Sequence, residues 1–240
     1  MGQRSDIITK LQSDILRLQH FCSLSNSDLN IELGPINQAF PNSTFPLAAI
    51  HEFISSRIED ATSSSAFITA LVKSLVRDNG IVLWVSACRT IFPPALKTLG
   101  VQPDHFIFLD VKKEKDVLWV MDEALKCGAL TAVIGEVRNI SFNESRKLQL
   151  AVEQSQVTGF ILRHNKNITP TASVSRWKIS TLPSDSIDDL PGIGFPKWKV
   201  ELLRMRNGKS GAWDVQWCNG RFQQVHSADF SIVEQQQKAG

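Results

Sequence analysis

Residues 51–72 read HEFISSRIEDATSSSAFITALV. An apolar run passes through small polar residues into a second apolar run of helical character. Strand, loop and helix in that order outline a phosphate-binding loop. The working form of that loop is G-x-x-x-x-G-K-[ST]: glycines let backbone N–H groups approach the phosphates, the lysine reaches the β- and γ-phosphates, and the hydroxyl holds Mg²⁺. Residues 51–72 contain neither Gly nor Lys. Arg57 is followed at once by Glu59 and Asp60, whose carboxylates repel a triphosphate. Ser63, Ser64 and Ser65 are expected to open the helix, where free N–H groups and hydroxyls attract an anion weakly. A Mg²⁺-holding Asp usually ends a neighbouring strand, and TAVIGEV (131–137) offers Glu136 at about that place. Arg57, Ser63, Ser64, Ser65 and Glu136 therefore read as a vestigial nucleotide loop. The expectation is no catalysis, no cofactor and no metal.

The flanking sequence supplies the frame. IVLWVS (81–86), FIFLDV (106–111), TAVIGEV (131–137) and TGFILRH (158–164) are short apolar runs suited to strands buried on both faces. Between them lie SSSAFITALVKSLVRD, EKDVLWVMDEALKCG and NESRKLQLAVEQSQ, the last placing Leu148, Ala151 and Val152 on one helical face. Alternating strand and helix predict an α/β fold with a mostly parallel central sheet flanked by helices. After Arg163 the pattern changes. Asn-Gly pairs at 207–208 and 219–220 sit between β-type segments, a strong hairpin signal, and predict a three-stranded antiparallel extension at the C-terminal end of the sheet.

At the N-terminus, Ile8, Leu11, Ile15, Leu18 and Cys22 form one apolar stripe of a helix over 5–24. Residues 25–46, rich in Asn, Ser and Pro, read as a linker that sets this helix apart. The helix either packs back on its own domain or docks on another subunit. The expected division is 1–45 (helix and linker), 46–226 (core) and 227–240 (a frayed, Gln-rich tail).

Composition excludes several classes. Hydrophobic residues are 42%, charged residues 21% and the net charge +2, ordinary for a globular protein and too small to prove a nucleic-acid partner. Cys22, Cys88, Cys127 and Cys218 show no C-x-x-C or zinc spacing and read as buried free thiols in a reducing compartment. The first residues lack an apolar signal core, and no run approaches a membrane span, so a cytoplasmic protein without membrane contact is expected. HEF does not continue to H-E-x-x-H, since Ser55 holds the last position.

The order of segments resembles the RecA-like core. The chain is similar to the ImuA family, RecA-like accessory proteins of bacterial SOS mutagenesis, through FPLAAIHEF, VLWVS followed by FPPALKTLGVQPD, KEKDVLWVMDEALKCGALTAVIGEV, SRKLQLAVEQSQVTGFILR, SRWKI and KWKVELLRMRNGKSGAWDVQW. These stretches cover most of residues 45–217. The resemblance implies a non-catalytic accessory role in error-prone translesion DNA synthesis, beside an inactive Y-family polymerase homologue and an error-prone replicative-type polymerase, with contacts to a RecA-type recombinase. Two alternatives stay open: a DNA-stimulated ATPase with an unusual nucleotide site, and a SulA-like protein that inhibits RecA or cell division by contact alone.

From Arg163 to Arg221 there are ten basic residues against five acidic ones, and four of the six tryptophans (Trp177, Trp198, Trp213, Trp217). Basic side chains among aromatics suit single-stranded DNA. The same alternation suits a sheet whose tryptophans face the core and whose charges face water or an acidic protein. The DNA-binding candidates are Arg163, Lys166 and Arg176, which flank the loop over 164–173 where RecA-like proteins place a DNA-binding loop, followed by Arg204, Arg206 and Lys209 in the hairpin.

Overall fold

The computed structural model describes residues 31, 33–76, 80–89, 91–165, 168–184 and 194–225. The expected helix over 5–24, the tail over 227–240 and the candidate Lys166 lie outside the described residues.

The alternating half folds as five parallel strands: β1 (Ile50–Ile54), β2 (Val82–Ser86), β3 (Phe106–Asp110), β4 (Ala132–Val137) and β5 (Thr158–Arg163). β6 (Ser175–Leu182) runs parallel to β1, and β7 (Lys197–Met205), β8 (Gly211–Cys218) and β9 (Arg221–Gln224) follow antiparallel. All nine make one sheet in the order β3-β2-β4-β5-β1-β6-β7-β8-β9. The expected three-stranded extension is present as β7–β9. Asn207 and the Asn219–Gly220 pair have positive φ (57°, 52° and 76°), the backbone that tight hairpin turns require.

Among the described residues three α-helices cover the sheet: α1 (Ile58–Leu75), α2 (Glu114–Ala124) and α3 (Phe142–Ser155). Side-chain alternation along the strands divides the core in two. Phe53, Val82, Trp84, Ile134, Phe160 and Leu162 pack with α1 through Phe67, Ile68 and Leu71. Leu83, Val85, Val133 and Ile161 pack on the other face with Val117 and Met121 of α2 and Leu148 and Val152 of α3. Gly135 on β4 allows this close fit, because a Cβ there would collide with the Met121 side chain. The α3 start is fixed by a capping box between Ser141 and Glu144, a device that contributes about 1 kcal/mol.

Three expectations are corrected. Residues 31 and 33–45 are part of the core and not a linker: Ile31, Leu33, Ile36, Phe40 and Phe45 are buried with Trp177, Trp198 and Phe222. Two short 3₁₀ turns carry this segment, and its apolar residues outweigh the Asn, Ser and Pro between them. α1 starts at Ile58, well before the serines, because Glu59 and Asp60 suit the positive end of a helix. The three cysteines among the described residues are not buried. Cys88 and Cys127 follow β2 and α2 in exposed connections, and Cys218 at the end of β8 is half-buried.

No helix among the described residues is long and apolar enough to cross a membrane. No group of three or more His, Cys, Asp or Glu side chains suited to a metal occurs among them.

Candidate functional site

Ligands of open α/β sheets bind in the crevice beyond the carboxyl ends of the parallel strands. Here that crevice holds a cavity of about 580 Å³ between the β1–α1 turn and the ends of β2 and β4. The turn is only Ser55, Ser56 and Arg57. Arg57 is the N-cap and gives the helix no side-chain cap. Its guanidinium instead donates to Asp60, Nη2 to Oδ1 at 3.1 Å and Nε to Oδ2 at 3.3 Å. Asp60 is buried at the helix's positive end, so the protein's own carboxylate lies where a phosphate would gain most. Ile58, 83% exposed, lines the cavity beside it.

The expected serine donors are not in the turn. Ser63, Ser64 and Ser65 are buried inside α1. The Ser64 hydroxyl pairs with that of Ser55 at 3.1 Å, and Ser65 donates to the Ala61 carbonyl at 3.0 Å. Glu136 lines the cavity, but its Oε1 accepts from Trp84 Nε1 at 2.6 Å and its Oε2 lies 3.5 Å from His164 Nε2. A nucleotide with Mg²⁺ does not fit this set: the turn lacks a lysine and glycines, and the anion position carries Asp60.

The densest polar cluster lies one connection away, around Glu52 on β1, which is 0% exposed. Arg163 at the end of β5 donates Nη1 to Glu52 Oε1 at 3.0 Å, and Arg176 on β6 donates Nε to Oε2 at 2.8 Å. Thr171 adds its hydroxyl to Oε2 at 2.7 Å. Arg163 also reaches the Thr169 hydroxyl at 2.8 Å, and Arg176 the Thr169 carbonyl at 2.8 Å. From β7, Arg204 donates to the carbonyls of Thr171 (3.2 Å) and Ser173 (2.5 Å). Arg206 donates to that of Ala172 at 3.0 Å. The connection between β5 and β6 is thus pinned to β1 by carboxylate pairing and to β7 by its own backbone.

No protein-family model matches the chain. Individual proteins do. The chain is 32% identical over 194 residues to Protein ImuA of Caulobacter vibrioides, in each of two strains, covering 75% of this chain and 80% of the relative. The chain belongs to the ImuA family. A more distant likeness, 23% over 146 residues, covers 61% of this chain and 77% of the cell division inhibitor SulA of Serratia marcescens.

In this ImuA-family chain the DNA candidates separate. Arg163 and Arg176 are 1% and 8% exposed and are held by Glu52, so the expectation that they lead a DNA contact is corrected: desolvated guanidiniums paired inside the protein do not present themselves to phosphate. Arg204 and Arg206 are half-buried, and Lys209 is exposed at the hairpin turn. Burial, then the neighbouring charges of Arg176 and Arg206, lower the Arg204 pKa from its ordinary value, although Glu52 opposes this. Two guanidiniums on Glu52, with those of Arg204 and Arg206 on the carbonyls of residues 171–173, leave an excess of positive charge beside this backbone. Trp177, Trp198 and Trp217 are buried and Trp213 packs against the core, which favours packing over base stacking for these rings. Glu52 was missed by sequence reasoning. Its signal was a carboxylate inside the apolar run AAIHEFI, a position that demands a buried cationic partner.

Proposed function

We propose that this chain is a non-catalytic, RecA-like accessory protein that supports error-prone translesion DNA synthesis in the SOS response. Its partners are an inactive Y-family polymerase homologue, an error-prone replicative-type polymerase and a RecA-type recombinase. The observation that carries the reading is ImuA-family membership in a chain whose β1–α1 turn pairs with its own Asp60. The strand order and the cavity at the carboxyl edge support a RecA-like descent with the phosphate function gone. Cells lacking the gene should lose damage-induced mutation while their spontaneous mutation rate is unchanged. The purified protein should release no phosphate from ATP, with or without single-stranded DNA. Turnover that disappears in Glu136→Gln would overturn the non-catalytic half of the reading. Damage-induced mutation that persists without the gene would overturn the other half.

DNA contact is the second element of the proposal, carried by the surplus of guanidiniums. Arg204, Arg206 and Lys209, with Lys166 beyond the described residues, would contact phosphate. Binding should then weaken as salt rises, and replacing Lys209 by Ala should reduce the slope of log K against log salt by about 1. A flat salt response in the unaltered protein would assign these residues to protein contact instead.

A further inference from the structure

A second cavity, of about 260 Å³, shares no residue with the one at the carboxyl edge of the sheet. It lies between the last turn of α1, the 3₁₀ turn Pro93–Leu99, the lead into β7 and the β8–β9 turn. Lys73 and Lys97 line it, and none of its lining residues is acidic. Its volume falls below the range of about 300–1,000 Å³ that drug-sized ligands occupy, and suits a single small group.

The Lys73 ammonium is held in place. It lies over Trp217, with Nζ 5.4 Å from the ring centroid. Gly100 and Gly220 leave room for it: a Cβ on Gly100 would lie 3.1 Å from Nζ, and one on Gly220 would collide with it. Both glycines have left-handed backbone, φ 80° and 76°, so two separate turns cradle the same nitrogen. Backbone bonds fix the walls. The Gly100 amide donates to the Lys97 carbonyl at 3.0 Å, and the Trp217 amide to the Pro196 carbonyl at 2.9 Å.

Lys73 is half-buried and Lys97 exposed, and neither is in an ion pair among the described residues. An ammonium carries three N–H donors and no acceptor, and a ring face answers only part of that capacity. Two cations on one cavity repel each other until an anion joins them. Asn219, exposed in the β8–β9 turn, adds a neutral carboxamide donor to the same cavity. Lysines set in this way serve a phosphate group as point charges.

We propose that this cavity is a phosphate-group site, with Lys73 and Lys97 as its cations and Asn219 as its neutral donor. The group belongs either to a free phosphate compound or to single-stranded DNA, since the same chemistry recognises both. The site shares no residue with Arg204, Arg206 and Lys209, so either one can fail without the other.

The test is calorimetric titration of the full-length chain with inorganic phosphate. The unaltered protein should bind it, and sulfate should compete where chloride at the same ionic strength does not. Lys73→Met and Lys97→Met should each weaken binding, on the order of tenfold, because each removes a charged donor. Lys97→Glu, at an exposed position that leaves the circular-dichroism spectrum unchanged, should abolish it, and Lys97→Arg should keep it. A single-stranded oligonucleotide then identifies the source. If its affinity falls in Lys73→Met/Lys97→Met and phosphate competes with it, the site takes DNA phosphate. If its affinity is indifferent to both, the site takes a free phosphate compound. No binding at about 10 mM phosphate, well above a millimolar dissociation constant, would overturn the proposal. Binding that survives Lys97→Glu and Lys73→Met alike would overturn it too.

Discussion

The connections that follow β1 and β5 leave the same edge of the sheet and treat charge in opposite ways. After β1 the chain turns in three residues, and its one ion pair, Arg57–Asp60, has an arginine that is 61% exposed. After β5 the chain takes a longer path and buries Arg163 against Glu52 at 1% and 0% exposure. An exposed pair is screened by water and contributes little, whereas a buried pair is costly to break because the surviving charge stays desolvated. The place that resembles a nucleotide site is therefore electrostatically slight. The chain's organised charge lies in the connection to β6 and the strands that grip it.

Substitutions can break this contrast. The largest effect is expected for Glu52→Gln, which leaves Arg163 and Arg176 buried without their carboxylate and should cost about 3–5 kcal/mol in urea unfolding. A loss below 1 kcal/mol would mean that water already solvates the cluster.

The adjacent residue on β1 gives the next effect. His51 is buried, with Nδ1 2.6 Å from Ser175 Oγ and Nε2 2.8 Å from the Pro46 carbonyl. Burial lowers its pKa to about 4, against the smaller opposing effect of the Pro46 bond. The unfolded chain therefore takes up this proton near pH 6.5 and the folded chain only near 4. Stability is fully present above 6.5 and falls as the pH drops through that window. Between pH 7 and 5 the loss should be about 2 kcal/mol. His51→Gln should remove that part of the pH slope, and an unchanged slope would place the acid sensitivity elsewhere.

Ser145→Ala should cost about 1 kcal/mol, since the buried Ser145 Oγ accepts from the Ala172 amide at 2.9 Å and nothing would replace it. The smallest effect is expected at the other connection. Arg57→Ala should lower the unfolding midpoint least of these variants, because its guanidinium is solvated and the buried Asp60 keeps the helix's positive end. A larger shift than that of Ser145→Ala would mean that the β1–α1 turn is held more firmly than its exposure indicates.

Much of the architecture was legible because it rests on local periodicity. The apolar runs at 81–86 and 131–137 suit buried strands, and Asn219–Gly220 between β-type segments signals a hairpin turn. The absence of glycine and lysine after β1 was likewise plain. What stayed hidden depends on contacts across the fold. Glu52 meets Arg163 and Arg176 over separations of 111 and 124 residues, which no local pattern reports. The early start of α1 was readable in principle, since Glu59 and Asp60 mark a first turn, but the three serines drew the boundary towards themselves. Residues 33–45 look like a linker by composition, and their role emerges only when Phe40 meets Phe45 at 5.5 Å and Trp177 at 5.9 Å.

The β5–β6 connection has one more consequence, in time rather than in energy. Its amides are tied as a strand's are: Ala172 to the Ser145 hydroxyl, Val174 to the Ile50 carbonyl at 2.8 Å, while the Val174 carbonyl accepts from Arg206 N at 2.9 Å. Opening any of these bonds requires moving β1, β7 or α3 as well. In deuterated water the amides of Ala172 and Val174 should exchange on the slow clock of the central strands, and not on the fast clock of surface connections. A segment that is a loop by shape would then be a strand by lifetime. It would offer any partner a backbone that keeps its form between encounters.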